Sequence, residues 1–302
     1  MMKTPSYLQL PLSKIKEKKE FLKEKLKNCN LCARNCRIDR YKKKSWCRSG
    51  VEIEISSYNP HFGEESIISG KRGSGTIFFT NCSMRCVYCQ NYQISQLSDG
   101  YKITVEELST IMIKLQEMGC HNINLVTPTH FIPQIVEAIV IALEKGLKIP
   151  FVYNCAGYEN VEILKVLQGL IDIYMPDAKY GNNQSGLKYS GVPDYWDINK
   201  ENLKEMYNQV GNISLSEEKV AEKGLLIRHL VLPNNISYTE KVLKFIKESL
   251  GKEVWVSLLS QYHPEFKGYK IPEINRPLFR EEYKKAVEIT KELGLENVLY
   301  QT

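Results

Sequence analysis

Three cysteines in one short run carry the strongest chemical signal in this sequence. The run Asn81-Cys82-Ser83-Met84-Arg85-Cys86-Val87-Tyr88-Cys89-Gln90-Asn91 spaces them as Cys-x3-Cys-x2-Cys. Thiolates are the ligands of iron–sulfur clusters. Three on one loop hold three irons of a [4Fe–4S] cubane and leave the fourth iron open, where a small molecule can coordinate. A zinc knob is the competing reading, completed by a histidine such as His61 or His130. Structural zinc takes four ligands, and no histidine adjoins the loop.

A second group precedes the first. Cys29-x2-Cys32-x3-Cys36-x10-Cys47 supplies four thiolates, the number for a closed zinc site or for a fully ligated second cluster. Zinc, a second cluster and free thiols all remain open on spacing alone. Arg34, Arg37, Arg40 and Arg48 stand among these cysteines and offset thiolate charge. The chain has nine cysteines, seven of them in the two groups. The odd total and tight grouping favour metal binding in a reducing compartment over a disulfide framework. Cys120 and Cys155 read as small core residues.

The elements that must position the first group are periodic from residue 74 onward. Apolar runs at 75–80, 122–127, 149–153, 171–175, 225–232 and 253–259 read as strands, with a short last strand at 298–300. Helical patterns at 104–118, 131–145, 158–168, 198–210, 239–249 and 280–293 lie between or after them, Thr104 being a plausible N-cap. Alternation of this kind predicts an α/β fold with a parallel sheet. Crossovers of one hand curl six strands into a partial TIM-like (β/α)6 barrel. The cysteine loop then sits at the C-terminal end of the first barrel strand, where barrel active sites lie. Three regions are expected: a basic helix or tail at 1–28, a Cys-rich module at 29–72, and the barrel at 73–302.

Charge is unevenly spread. Residues 1–28 carry eight Lys and three Glu, residues 29–50 seven Lys or Arg and one Asp, while the whole chain of 302 residues is only +6. The remainder is therefore mildly acidic. The basic head reads first as a solvated surface, with Ile15, Leu22 and Leu26 as the thin apolar side of a helix at 13–28. A docking face for an acidic partner is the alternative. No apolar run is long enough for a membrane span or secretory signal, which predicts a cytoplasmic protein with no membrane partner. A nucleic-acid-binding finger is an outsider, since no Cys2His2 spacing follows.

Cys-x3-Cys-x-aromatic-Cys, with Tyr88 as the aromatic, resembles the signature of radical S-adenosylmethionine (SAM) enzymes. The resemblance extends to residues 70–79, 122–130, 152–158, 172–180 and 227–233, which are similar to the PflX-type homologues of pyruvate formate-lyase activating enzyme. It implies a radical SAM barrel, a [4Fe–4S] cluster and SAM. It also implies reductive SAM cleavage to a 5′-deoxyadenosyl radical, an electron donor such as flavodoxin or ferredoxin, and a glycyl-radical enzyme as protein substrate. Modification of another protein or of a small molecule is the second reading. Asp177-x-Lys179 resembles the Asp-x-Lys of the activases, implying catalytic positions near SAM and the substrate glycine; a surface ion pair is the bland alternative. Tyr88, Thr127, Thr129, Asn154 and Arg228 are the implied SAM-binding residues. Arg228, within an apolar strand, needs an anion: the SAM carboxylate or a structural salt bridge. Where relatives have Gly-Gly-Glu for the SAM amino group, this chain has Thr127-Pro128-Thr129. Those threonines could instead cap the next helix. His229 and His263 are weaker candidates.

Overall fold

The computed structural model describes residues 4–301. Its strands are β1 (Ile53–His61), β2 (Ser74–Phe79), β3 (Tyr101–Ile103), β4 (Ile123–Val126), β5 (Phe151–Cys155), β6 (Ile173–Pro176), β7 (Ser214–Leu215), β8 (Ala221–Leu230), β9 (Trp255–Leu259) and β10 (Val298–Tyr300). The helices are α1 (Leu12–Glu24), α2 (Ser66–Ser69), α3 (Tyr92–Leu97), α4 (Val105–Glu117), α5 (Ile132–Glu144), α6 (Val161–Leu167), α7 (Asn183–Ser190), α8 (Tyr195–Val210), α9 (Thr239–Leu250) and α10 (Arg280–Glu292).

Seven strands run parallel in the order β2-β4-β5-β6-β8-β9-β10, each joined to the next by helical crossovers. This is the expected α/β partial barrel, with the short last strand in place. The barrel stays open: β10 ends one edge, and antiparallel β1 and β3 extend the other beyond β2. Residues 53–61, expected within a Cys-rich module at 29–72, are therefore a strand of the core sheet.

The period-2 pattern separates two apolar faces. Phe151, Tyr153, Tyr174, Leu225 and Ile227 face the helical layer with Leu115, Ile135, Leu164 and Leu243. Their neighbours Val152, Ile173, Met175 and Leu226 face the barrel interior, where Ile67 and Ile68 of α2 pack against them. The helices start where local chemistry dictates. Thr104 and Glu107 form a reciprocal capping box at α4, and Asn160 and Asn182 cap α6 and α7 through their side chains.

The basic head is not a free tail. Ile15, Leu22 and Leu26 are all buried. Around them Tyr7 donates to the Ile149 carbonyl at 2.8 Å, Lys18 to the Val166 carbonyl at 2.6 Å, and Lys23 pairs with Glu137 at 2.8 Å. The segment from 176 to 197, between the strand expected at 171–175 and the helix expected at 198–210, contains α7. Gly186 is needed there because a Cβ would stand 2.5 Å from Tyr195. No helix among the described residues is long and apolar enough to cross a membrane.

Candidate iron–sulfur active site

The cysteine loop leaves β2 through Asn81, whose φ of 70° turns the chain over the barrel rim. The Asn81 side chain donates to Glu54 at 2.9 Å and accepts from Ser98 at 2.7 Å, which fixes that conformation. Four further anchors hold the loop. Val87 N–H donates to the Tyr189 carbonyl at 2.8 Å, Lys267 N–H to the Val87 carbonyl at 3.0 Å, and Gln96 to the Cys86 carbonyl at 3.2 Å. Arg34 then reaches across from the N-terminal module. It donates to the carbonyls of Ser83, Met84, Ser190 and Gly191, so one guanidinium joins the loop to the end of α7.

Each sulfur in the loop has at least one hydrogen-bonding neighbour. Met84 N–H donates to Cys82 Sγ at 3.4 Å, Ser190 Oγ donates to Cys86 Sγ at 3.0 Å, and Ser95 Oγ lies 3.1 Å from Cys89 Sγ. The Ser190 contact ends a buried hydroxyl chain. Tyr88 donates to Tyr180 at 2.7 Å, and Tyr180 meets Ser190 at 2.9 Å. Because Ser190 spends its proton on Cys86 and Tyr88 spends its own on Tyr180, Tyr180 must donate to Ser190. Every hydroxyl in the chain thus points its proton toward the sulfur, the polarity a thiolate ligand requires. Tyr158, Tyr189, Tyr195 and Tyr262 complete an apolar tyrosine shell with Met84 and Leu232 around Cys86. Gly268 passes 3.4 Å from Tyr88 Cβ, measured from where its own Cβ would lie.

The donor set fits an iron–sulfur cluster. It consists of thiols alone, on one loop, with hydrogen-bond donors at the sulfurs. Burial, and next the neighbouring Cys86, push the Cys82 thiol up to about 12; burial and Cys86 likewise raise Cys89. Ligation must expel these protons, so loading a cluster releases them.

Asp177 and Lys179 lie on the same rim. Lys179 Nζ is 2.6 Å from Asp177 Oδ2. Burial works against the ammonium charge, but Asp177 and then the Cys86 sulfur outweigh it, and the lysine stays charged. The segment is held by its backbone: the Asp177 carbonyl accepts from Asn199 at 2.9 Å and lies 3.1 Å from the Tyr195 hydroxyl. Gly157, at φ 67°, permits this approach, since a Cβ there would meet the Asp177 carbonyl at 2.3 Å. Asn154 is buried and shares the inward parity of Val152 on β5.

Other expected site residues are differently engaged. Arg228 already has its anions: it bonds Glu65 at 2.8 and 2.6 Å and also pairs with Glu64. The guanidinium expected for the SAM carboxylate is a structural salt bridge in the barrel interior, with Asn124 donating to Glu64 at 3.0 Å. Thr129 donates to Glu159 at 2.9 Å and caps no helix; Tyr153 holds the other Glu159 oxygen at 3.0 Å. Thr127 has φ 58°, rare for a β-branched residue, with its N–H on the Asn154 carbonyl at 2.8 Å. His229 is buried between the Ala178 carbonyl and Thr239, while His263 is exposed beside Glu265. Cys120 and Cys155 are buried. Ser190, Ser95, Tyr180 and Glu159 were not expected, and Arg34 was expected only to offset thiolate charge. Only Arg34, set between Cys32 and Cys36, carried a signal in its position.

The four N-terminal cysteines share one neighbourhood. Burial raises Cys29 and Cys32; Cys47 acts on both, Cys36 on Cys29, and Cys29 on Cys32. Cys32 also bridges to Glu159 through the backbone, which docks this module on the rim beyond β5.

The loop, the open parallel barrel and the thiol donors define a radical SAM core, and the chain belongs to that superfamily: the family model Radical SAM superfamily matches residues 76–246. The family implies a [4Fe–4S] cluster and SAM. Among relatives, the chain is 35% identical over 292 residues to the uncharacterized protein MJ0674 of Methanocaldococcus jannaschii, covering 92% of this chain and 79% of that one. It is 27% identical over 201 residues to the uncharacterized protein MJ0808 of the same organism, covering 63% and 53%. The crystal structure of HydG, a maturase of the [FeFe]-hydrogenase, superposes with a TM-score of 0.50 at 16% identity, over 74% of this chain and 50% of that chain. That likeness bears on the fold alone.

Proposed function

We propose that this chain is a SAM-cleaving radical enzyme of the PflX type that abstracts hydrogen from a protein glycine, as the activases do. One observation carries the reading: three cysteine sulfurs, each with its own hydrogen-bonding neighbour, sit on the loop that follows the first parallel strand. Cys82, Cys86 and Cys89 would hold the cluster. When bound, it supplies the single electron that breaks the sulfonium C–S bond of SAM. Tyr88 and its tyrosine neighbours exclude water from the sulfurs. Asn154, facing inward, and the Thr127 turn line the place for SAM; Thr129 acts behind them through Glu159. Asp177 and Lys179 offer a paired carboxylate and ammonium to SAM and to the incoming substrate.

Cys29, Cys32, Cys36 and Cys47 would hold zinc or a second cluster, pinning the N-terminal module against the rim. The electron donor is a flavodoxin or ferredoxin, the protein substrate is a glycyl-radical enzyme, and the setting is the cytoplasm. The replacement of Gly-Gly-Glu by Thr127-Pro128-Thr129 favours a second reading, in which the substrate is a small molecule or a different protein residue.

Anaerobically reconstituted protein with dithionite should convert SAM to 5′-deoxyadenosine and methionine. Cys82→Ala, Cys86→Ala and Cys89→Ala should each abolish the products. Unchanged cleavage in all three variants would refute the reading. A glycyl doublet in electron paramagnetic resonance after mixing with a glycyl-radical enzyme separates the first substrate class from the second.

A further inference from the structure

The outer face of the cysteine loop carries positive charge with no carboxylate to match it. Arg85 is part of the loop, between Cys82 and Cys86, and its side chain donates to the Gln96 amide oxygen at 3.3 Å. Arg48 donates to the Gln96 carbonyl at 2.6 Å. Arg34 spends its donors on four backbone carbonyls. Among the described residues none of the three pairs with an Asp or Glu. They nonetheless share one neighbourhood: burial, then repulsion from Arg48 and Arg34, lowers the Arg85 pKa.

An exposed indole lies among them. Trp46 is 49% exposed, with the Arg34 guanidinium 4.4 Å and the Arg85 guanidinium 5.6 Å from its ring centre. Offsetting thiolate charge asks only for cations near sulfur. It does not ask for a half-exposed tryptophan between two of them, nor for Arg48 to stand exposed. Trp and Arg are the side chains that dominate binding energy at protein interfaces, and an unmatched positive patch steers acidic partners. Exposed Arg37, Lys42, Lys43 and Lys44 lie in the same segment, and the two ion pairs there, Lys42–Asp39 and Lys44–Glu54, are loose at 3.5 and 3.6 Å.

We propose that Arg34, Trp46, Arg48 and Arg85 form the docking surface for a small acidic one-electron carrier protein, seated on the outer face of the cysteine loop beside Cys82. The inference rests on the radical reading above and adds where the electron enters. The carrier is oxidised by one electron and the loaded enzyme reduced by one; no atom or proton need move. Delivery at this face is short, because Arg85 lies between two of the loop cysteines and Arg34 donates to the Ser83 and Met84 carbonyls of the same loop.

The test uses the reconstituted full chain and a flavodoxin as probe. Binding should weaken steeply between 50 and 200 mM salt, as expected of charge-steered association. Trp46→Ala and Arg48→Glu should each weaken flavodoxin binding about tenfold or more. Both should slow reduction by flavodoxin, while reduction by dithionite, which needs no docking, stays at the wild-type rate. Two outcomes overturn the proposal: flavodoxin binding that neither variant nor salt alters, or a patch that binds single-stranded RNA in preference to flavodoxin. A wild-type protein that binds flavodoxin as described but fails to cleave SAM with dithionite would instead sink the radical reading and leave the surface standing.

Discussion

Ser190 is the hydroxyl donor to Cys86, one of the three proposed cluster ligands. Its hydroxyl donates to Cys86 Sγ at 3.0 Å and receives from Tyr180 at 2.9 Å. One-electron reduction places more negative charge on the sulfurs, so a donor stabilises the reduced state more than the oxidised one. A hydrogen bond to a charged group contributes about 1.5–3 kcal/mol. The added electron is shared over the whole centre, so roughly a third of that, about 0.5–1 kcal/mol, distinguishes the two states. At 59 mV per tenfold for one electron, Ser190→Ala should lower the midpoint potential by roughly 20–40 mV. Ser190→Thr keeps the hydroxyl and should retain the wild-type value. Tyr180→Phe removes only the bond that polarises Ser190 and should shift the potential by less than Ser190→Ala, in the same direction. Anaerobic potentiometric titration, followed by the paramagnetic signal of the reduced centre, measures all three. A Ser190→Ala midpoint within about 10 mV of wild type would refute the reasoning, as would a Thr variant that falls as far as the Ala variant.

Removing the Arg228 guanidinium strands two carboxylates. Arg228→Met should cost about 3–5 kcal/mol, and adding Glu64→Gln with Glu65→Gln should restore most of it. Burial alone would raise the Glu65 carboxyl, but Arg228 overcomes this and holds it below its ordinary value. In the wild type this contribution is therefore present above the ordinary carboxylate range and lost as pH falls through it. Arg228→Met should reverse the sign, gaining stability as the stranded acids take up protons; melts at pH 4 and 7 that slope alike in both proteins would count against it. Glu159 behaves oppositely in the native chain. Burial pushes its carboxyl up to about 7 against the donors Thr129 and Tyr153. The unfolded chain ionises first, so stability drains as pH rises from about 4.3 toward 7, by an amount on the order of 3 kcal/mol. Glu159→Gln should remove that slope, and a melting temperature whose pH profile is unchanged by the substitution would disprove the assignment.

The barrel was legible because its strands are short apolar runs spaced by amphipathic helices, a pattern that local physics writes directly into sequence. Thr104 marked the start of α4 in the same way. The short helix α7 was not legible: Asn183, Ser185 and Gly186 read as turn residues, and only packing against Tyr195 makes the segment helical. That one omission hid Ser190, the donor to Cys86. The three cysteines were plain from spacing alone. Arg228 looked like a ligand because a cation inside an apolar strand demands an anion. Its partners, Glu64 and Glu65, are 164 and 163 residues away in sequence, which no local pattern reveals. Glu159 was overlooked for the same reason, since its meaning depends on Thr129 and Tyr153 converging on it.

The helix α2 gives the barrel a floor. Ile67 and Ile68 seat against Val152, Ile173, Met175 and Leu226, with the Glu64, Glu65 and Arg228 layer completing the closure. The interior below the rim is thus filled by side chains, and a reactive species generated at the rim meets packed atoms beneath it and not a through-channel.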